Sequence, residues 1–134
     1  MRPLIGPATI LAIALAALPN VSANAQEWPA KPVRIVVPFP AGGSTDRMAR
    51  LVSEHLTKTF KQQFYVENRP GAGGAIAAAL VARTDADGYT LMAGGYGPHV
   101  MGPATGQKID YDAIKDFTHI AMMGGESYVF AAHA

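Results

Sequence analysis

A chain of 134 residues, 49% hydrophobic and 16% charged, has the composition of a globular protein and the length of one domain or a piece of a larger one, which excludes a disordered chain. Its formal net charge of +1 counts Arg2 among 11 Lys+Arg; without residues 1–25 the basic side chains equal the 10 Asp+Glu, leaving no basic footprint for nucleic acid or an anionic membrane surface. With no cysteine, the chain has no disulfide, no thiol nucleophile and no cysteine to carry a lipid anchor.

Residues 1–25 read as a cleavable secretory signal peptide. Arg2 supplies the positive end, residues 8–18 form an apolar run interrupted only by Thr9, and Ala23-Asn24-Ala25 supplies small residues at the spacing of a cleavage site. The apolar run is bracketed by Pro7 and Pro19 and is too short to span a membrane, which needs about 20 apolar residues. The lone Trp28, between the leader and Pro29, is expected to anchor the entering chain against the domain.

The β-branched run 33–37 predicts a strand covered on both faces, as in a parallel sheet. Met48, Leu51, Val52, Leu56 and Phe60 recur at spacings of three and four among charged residues and predict an amphipathic helix; His55 interrupts that stripe and reads as a partly buried packing residue. Residues 64–67 predict a second strand, 75–83 an alanine-rich helix, and 89–93 a third strand after the Asp87-Gly88 turn. The order is βαβαβ, which right-handed crossovers fold into parallel strands with helices laid on the sheet. Residues 94–106, rich in glycine and proline, read as a loop, and the apolar runs 118–123 and 128–132 as two further strands.

Parallel strands gather the loops that leave their ends on one edge, where open α/β folds bind ligands. Three glycine-bearing loops meet there: residues 38–46, residues 68–74 and Gly94-Gly95-Tyr96-Gly97. The first two run directly into helices, whose free N–H groups and positive dipole end favour an anion. The plainer alternative is that glycine and proline only reverse the chain and that Ser44 or Thr45 caps the helix. Asp46, in the first helical turn, would satisfy the same amides and repel a bare anion, so waters or the hydroxyls of Ser44 and Thr45 are expected to mediate contact.

Other chemistries fail on spacing. No phosphate loop of the GxxxxGK[ST] type is present, Ile76 stands where the dinucleotide fingerprint needs its last small residue, and no serine sits in GxSxG. The histidines at 55, 99, 119 and 133 lack paired metal-ligand spacing, although His99, in the third loop, is a candidate ligand contact. Asp110, Asp112 and Asp116 lack the glycine and glutamate of a calcium loop and read as a solvated turn. No catalytic group, metal or cofactor is implied.

Residues 28–46, Trp-Pro-Ala-Lys-Pro-Val-Arg-Ile-Val-Val-Pro-Phe-Pro-Ala-Gly-Gly-Ser-Thr-Asp, closely resemble the opening of the tripartite tricarboxylate transporter substrate-binding proteins, the Bug family. Residues 66–74, the run 87–91, and Tyr111-Asp112 with Asp116-Phe117 resemble its next signatures in the same order, so the resemblance runs from residue 28 to the end. It implies the parallel-sheet lobe of an α/β, type II periplasmic-binding-protein-like fold, in a soluble periplasmic receptor that closes on a small carboxylate and delivers it to integral-membrane permease subunits. Carried onto this chain, the loops would hold one ligand carboxylate through Phe39, Ala41, Gly43, Ser44, Thr45, Asp46, Ala72, Gly73 and Gly74. The third loop departs from the family, with Gly94-Gly95-Tyr96-Gly97-Pro98-His99 in place of a polar strand end and an asparagine-proline step, and Asp110 replaces a proline.

Family members are more than twice as long. The expected organisation is therefore a leader over 1–25, a first ligand-binding lobe over 26–106 and the start of a crossover toward a second lobe over 107–134, truncated before that lobe is complete. Such a portion is expected to be marginally stable, because apolar surface that the rest of the receptor would cover faces water. A ligand-sensing or interaction module without a transport role, and a nucleotide-binding α/β enzyme, are the alternatives. The identity of the carboxylate stays open, since discrimination would come from the far side of the cleft.

Overall fold

The computed structural model describes residues 27–125. Strand β1 (Val33–Val37) leads to helix α1 (Ser44–Phe60), strand β2 (Phe64–Asn68), a 3-10 turn (Ala72–Gly74), helix α2 (Ala75–Ala82) and strand β3 (Thr90–Met92). A π-helical turn (Gly97–Met101) then runs into the short helix α3 (Gly102–Ala104). The sheet has the order β2-β1-β3 and is parallel throughout, with Val33 opposite Phe64, and Arg34 opposite Thr90. Tyr89 and Ala93 extend the third strand's ladder: the Arg34 amide donates to the Tyr89 carbonyl at 2.9 Å, and the Ala93 amide to the Val36 carbonyl at 2.9 Å.

Because β1 is central and its two partners lie on opposite sides, right-handed crossovers place α1 and α2 on opposite faces of the sheet. This is why β1 is apolar on both faces. Val33, Ile35 and Val37 pack with Phe64, Ala93 and Ala49 of α1 as the main core. Val36 is buried on the other face, toward α2, where Ala77 and Ala78 are also buried. Arg34 shares the face of Val36 by strand alternation and reaches sideways, donating to Glu67 at 3.3 Å and to the Thr90 hydroxyl at 3.4 Å.

Helix α1 is turned from the orientation its apolar spacing suggests. Its buried residues are Asp46, Ala49 and Ser53, whereas Met48 is 40% and Leu51 64% exposed, and His55 faces solvent. Close approach to the sheet decides the matter. The Ser53 hydroxyl donates to the Phe64 carbonyl at 2.6 Å, and the Phe64 amide donates to the Thr57 hydroxyl at 3.0 Å, so small and hydroxyl-bearing residues face β2. Lys61, in the left-handed conformation, ends the helix.

Two further expectations are corrected. Within 94–106, Gly97–Met101 and Gly102–Ala104 form helical turns, which Pro98 and Pro103 favour near their starts by fixing φ and lacking an amide proton. Residues 118–123 form no strand: their apolar pattern meets no partner strand among the described residues, and Ile120 and Met122 are exposed. The run 128–132 lies outside the described residues. Trp28 sits at the opposite end of the sheet from the glycine loops, its ring 5.5 Å from that of Phe60 and 6.2 Å from those of Phe64 and Tyr89. Among the described residues no helix is long and apolar enough to cross a membrane.

Candidate functional site

The loops leaving β1, β2 and β3 touch one another at the carboxyl end of the sheet. Gly97 lies so close to Gly73 that a Cβ on Gly97 would stand 2.6 Å from the Gly73 carbonyl oxygen. A Cβ on Gly74 would meet Pro98 at 3.0 Å and Pro38 at 3.1 Å, and Gly95 and Gly97 both border the Phe39 ring. Phe39 is thus the half-buried floor on which the three loops meet, while Ala41, Gly43, Ser44, Ala72 and Gly73 are exposed around it and Thr45 is half-buried.

Both helices after these loops begin without a side-chain cap. Gly43 is the cap residue of α1 and Gly74 that of α2, and neither helix receives a capping hydrogen bond from a side chain. Ser44 and Thr45 lie inside α1 and do not cap it. At α1 the first-turn amides have no intrahelical acceptor and carry the positive end of the helix dipole at this edge, whereas α2 is entered through the 3-10 turn, where the Gly74 amide donates to the Gly71 carbonyl at 2.9 Å and the Ala75 amide to the Ala72 carbonyl, and where Gly74 is buried. The second loop is shaped by four successive positive φ angles, 136° at Gly71, 47° at Ala72, 62° at Gly73 and 98° at Gly74, a path that glycine permits and that Ala72 follows at a conformational cost.

Asp46 behaves differently from its neighbours. It is only 3% exposed, and its two carboxylate oxygens take four donors. The Gly42 amide donates to Oδ2 at 2.8 Å and the Asn68 side-chain amide to Oδ1 at 2.9 Å. The Arg50 guanidinium meets both oxygens, with Nε at 3.0 Å from Oδ2 and Nη2 at 3.0 Å from Oδ1. That fills the acceptor capacity of a carboxylate. These bonds, Arg50 first and then Gly42 and Asn68, hold the Asp46 carboxyl far below the usual range against the opposing effect of burial. Asn68 also donates to the Phe39 carbonyl at 3.0 Å, and Arg47 to the Gly42 carbonyl at 3.0 Å, so the first loop is tied from both sides.

His99 turns its ring away from the first two loops, toward Gly94, Phe117 and His119. It lies edge-on to Phe117 at 4.9 Å, with His119 at 5.8 Å. Its Nδ1 is buried without a hydrogen-bond partner among the described residues, and burial, followed by the nearby His119, lowers its pKa. The Tyr111 hydroxyl donates to the Pro98 carbonyl at 2.6 Å, and Gln107 donates to the Ala72 carbonyl at 3.1 Å, so residues after the third loop brace the second and third. Asp112 and Asp116 build an exposed turn: Asp112 accepts the Ile114 and Lys115 amides at 3.0 Å each, and Asp116 accepts the Asp112 amide at 2.7 Å.

The family model of the tripartite tricarboxylate transporter family receptor, TctC, matches residues 48–134. The chain belongs to this receptor family. Among curated relatives of the receptor chain, a UPF0065 protein of Bordetella bronchiseptica is 46% identical over 112 residues, covering 84% of this chain and 33% of the relative. Protein BugT of Bordetella pertussis is 39% identical over 102 residues, covering 75% and 31%. MatC from Rhodopseudomonas palustris, solved with bound malate, superposes with a TM-score of 0.65 at 44% identity over 68% of this chain and 31% of that one. A periplasmic transporter structure superposes with a TM-score of 0.63 at 44% identity, covering 66% and 30%. The chain therefore has the α/β fold of periplasmic binding proteins and spans about a third of the length of the relatives it matches.

The sequence singles out the loops, with Asn68 opening the second, and Tyr111 within a signature, but assigns no bracing role to Arg50, Asn68, Gln107 or Tyr111. The spacing of Asp46 and Arg50, one helical turn apart, was a readable signal for their pairing. Asn68 had none, because its partner is 22 residues away and only the parallel register of β1 and β2 brings them together.

Proposed function

We propose that the glycine-lined edge is half of a binding cleft for a small carboxylate, in a periplasmic receptor that hands its ligand to a tripartite tricarboxylate-type permease. The observation that carries the reading is the juxtaposition of the α1 start after Gly43, which no side chain caps, with the exposed turn at Ala72 and Gly73 that leads into α2, on loops in mutual contact at one sheet edge. Main-chain amides around Ala41, Gly43, Ser44 and Thr45 would face one side of the carboxylate, and those of Ala72 and Gly73 the other, with the Phe39 ring beneath and waters completing the contacts; Gly74, whose amide is bonded to the Gly71 carbonyl, would shape the turn that presents them. Asp46 would act by holding the first loop. Family membership and the malate carried by MatC support the ligand class. In this reading residues 1–25 are removed on export, 26–106 form the first lobe and 107–134 start the crossover to a second.

Calorimetric titration of the full chain with malate, citrate, glutamate and benzoate tests the proposal. With one wall of the cleft, affinity on the order of millimolar is expected, about −4 kcal/mol. Binding of a nucleotide and of none of the four acids would refute it. N-terminal sequencing of the exported protein checks the leader, with Gln26 as the expected first residue.

A further inference from the structure

We infer that Arg50 is the positioning residue that makes this socket tolerate an anion: its guanidinium clamps and neutralises Asp46, fixing the first loop while cancelling the one negative charge built into the helix start. The inference rests on the carboxylate-binding reading above and deepens it.

A buried acid in the first turn of a helix poses a problem for an anion site, since it competes for the positive end of the dipole. Asp46 is such an acid. Arg50 answers it with geometry as well as charge. Its planar fork meets both carboxylate oxygens at 3.0 Å, and it reaches on to the Asn68 side-chain oxygen at 3.3 Å. Asn68 in turn holds both Asp46 and the Phe39 carbonyl. The three side chains therefore form a closed unit that joins α1, the end of β2 and both ends of the first loop. The other charged groups nearby are engaged elsewhere: Arg47 on the Gly42 carbonyl, and Arg69 and Arg34 on Glu67. The Arg50 side chain is half exposed and Asp46 is buried, and the ion pair they form has no net charge.

A lysine would keep the charge without the fork, and a glutamine would lose the charge. The full chain and its Arg50→Lys, Arg50→Gln and Asp46→Asn/Arg50→Gln variants separate a charge role from a merely structural one. With malate as the probe, Arg50→Gln should weaken binding roughly tenfold at low salt, the effect of one uncompensated charge a few ångströms away. That deficit should shrink in 0.5 M salt, and Arg50→Lys should lie between the two. The double variant should bind more tightly than Arg50→Gln, because it removes the uncompensated charge; damage to the loop alone would make it bind more weakly.

A ligand-free readout accompanies these titrations. The amide nitrogen shift of Gly42, bonded to Asp46, should stay flat between pH 7 and 3 in the wild type and titrate near pH 4, roughly the ordinary aspartate range, in Arg50→Gln. If Arg50→Gln does not fold, the same comparison is made with Arg50→Lys. Equal malate affinity in Arg50→Gln and wild type, or a Gly42 titration that is the same in both, overturns the inference. If no variant binds malate while Gly42 responds as expected, the receptor reading falls and the clamp stands.

Discussion

Substitution of Gly97 by alanine tests whether the three loops are one structure. Gly97 has no positive φ, so the backbone accepts a side chain and the whole cost comes from contact. The new Cβ would lie 2.6 Å from the Gly73 carbonyl oxygen, and it needs about 0.8 Å more to reach ordinary van der Waals separation near 3.4 Å. Neither partner yields easily, because Gly73 belongs to the run of positive φ angles and the next residue, Gly74, is wedged between Pro38 and Pro98. Overpacking of this kind costs about 1–3 kcal/mol, and the lower entropy of an unfolded chain with alanine returns about 0.4–1 kcal/mol. The net expectation is a loss of roughly 1–2 kcal/mol. Urea unfolding of the full chain measures it, with Gly124→Ala as the control, since that position has ordinary φ and nothing within 4 Å. The amide shifts of Ala72, Gly73 and Gly74 should move in Gly97→Ala. Stability within about 0.3 kcal/mol of the control and unmoved shifts would mean that the second and third loops do not touch, and the composite site would dissolve.

Other outcomes follow from the packing. Ser53→Ala removes the 2.6 Å hydrogen bond to the Phe64 carbonyl at the interface of α1 with β2 and should cost about 1–2 kcal/mol in the same urea assay. Trp28→Ala removes the ring that meets Phe60, Phe64 and Tyr89; because the tryptophan is 42% exposed, a loss of about 2 kcal/mol is expected, below that of a fully buried aromatic, with malate titrations unchanged because the residue lies at the far end of the sheet. Burial, followed by His119, lowers the His99 pKa, so below the unfolded value of 6.5 the unfolded chain binds more protons: stability should fall as pH drops through that value, and His99→Phe should flatten the slope between about pH 7 and 5.5, above the range in which the carboxylates titrate. A slope unchanged by that substitution would place the titrating group elsewhere.

Periodicity located the βαβαβ frame because its signals are local: the apolar run of β1, the spacing within α1 and the glycine turns each sit within one element. The same signals misjudged which face of α1 turns inward. Met48 and Leu51 look like core residues by type, but the distance between helix and sheet is set by Ala49 and Ser53, and that distance belongs to the tertiary structure. Hydrophobicity at 118–123 predicts a strand where no neighbour among the described residues supplies ladder hydrogen bonds. At the site, the glycines announced themselves through conformational need, whereas Asn68 and Gln107 act across 22 and 35 residues of chain and leave no local trace.

The sheet order has a consequence for how the chain is made. Its central strand is the first to emerge, and the strands that flank it come later, opening at Phe64 and Thr90. Until residue 93 has left the ribosome, the Val36 carbonyl lacks its Ala93 partner and one flank of β1 is bare, so closure of the sheet waits for distant chain.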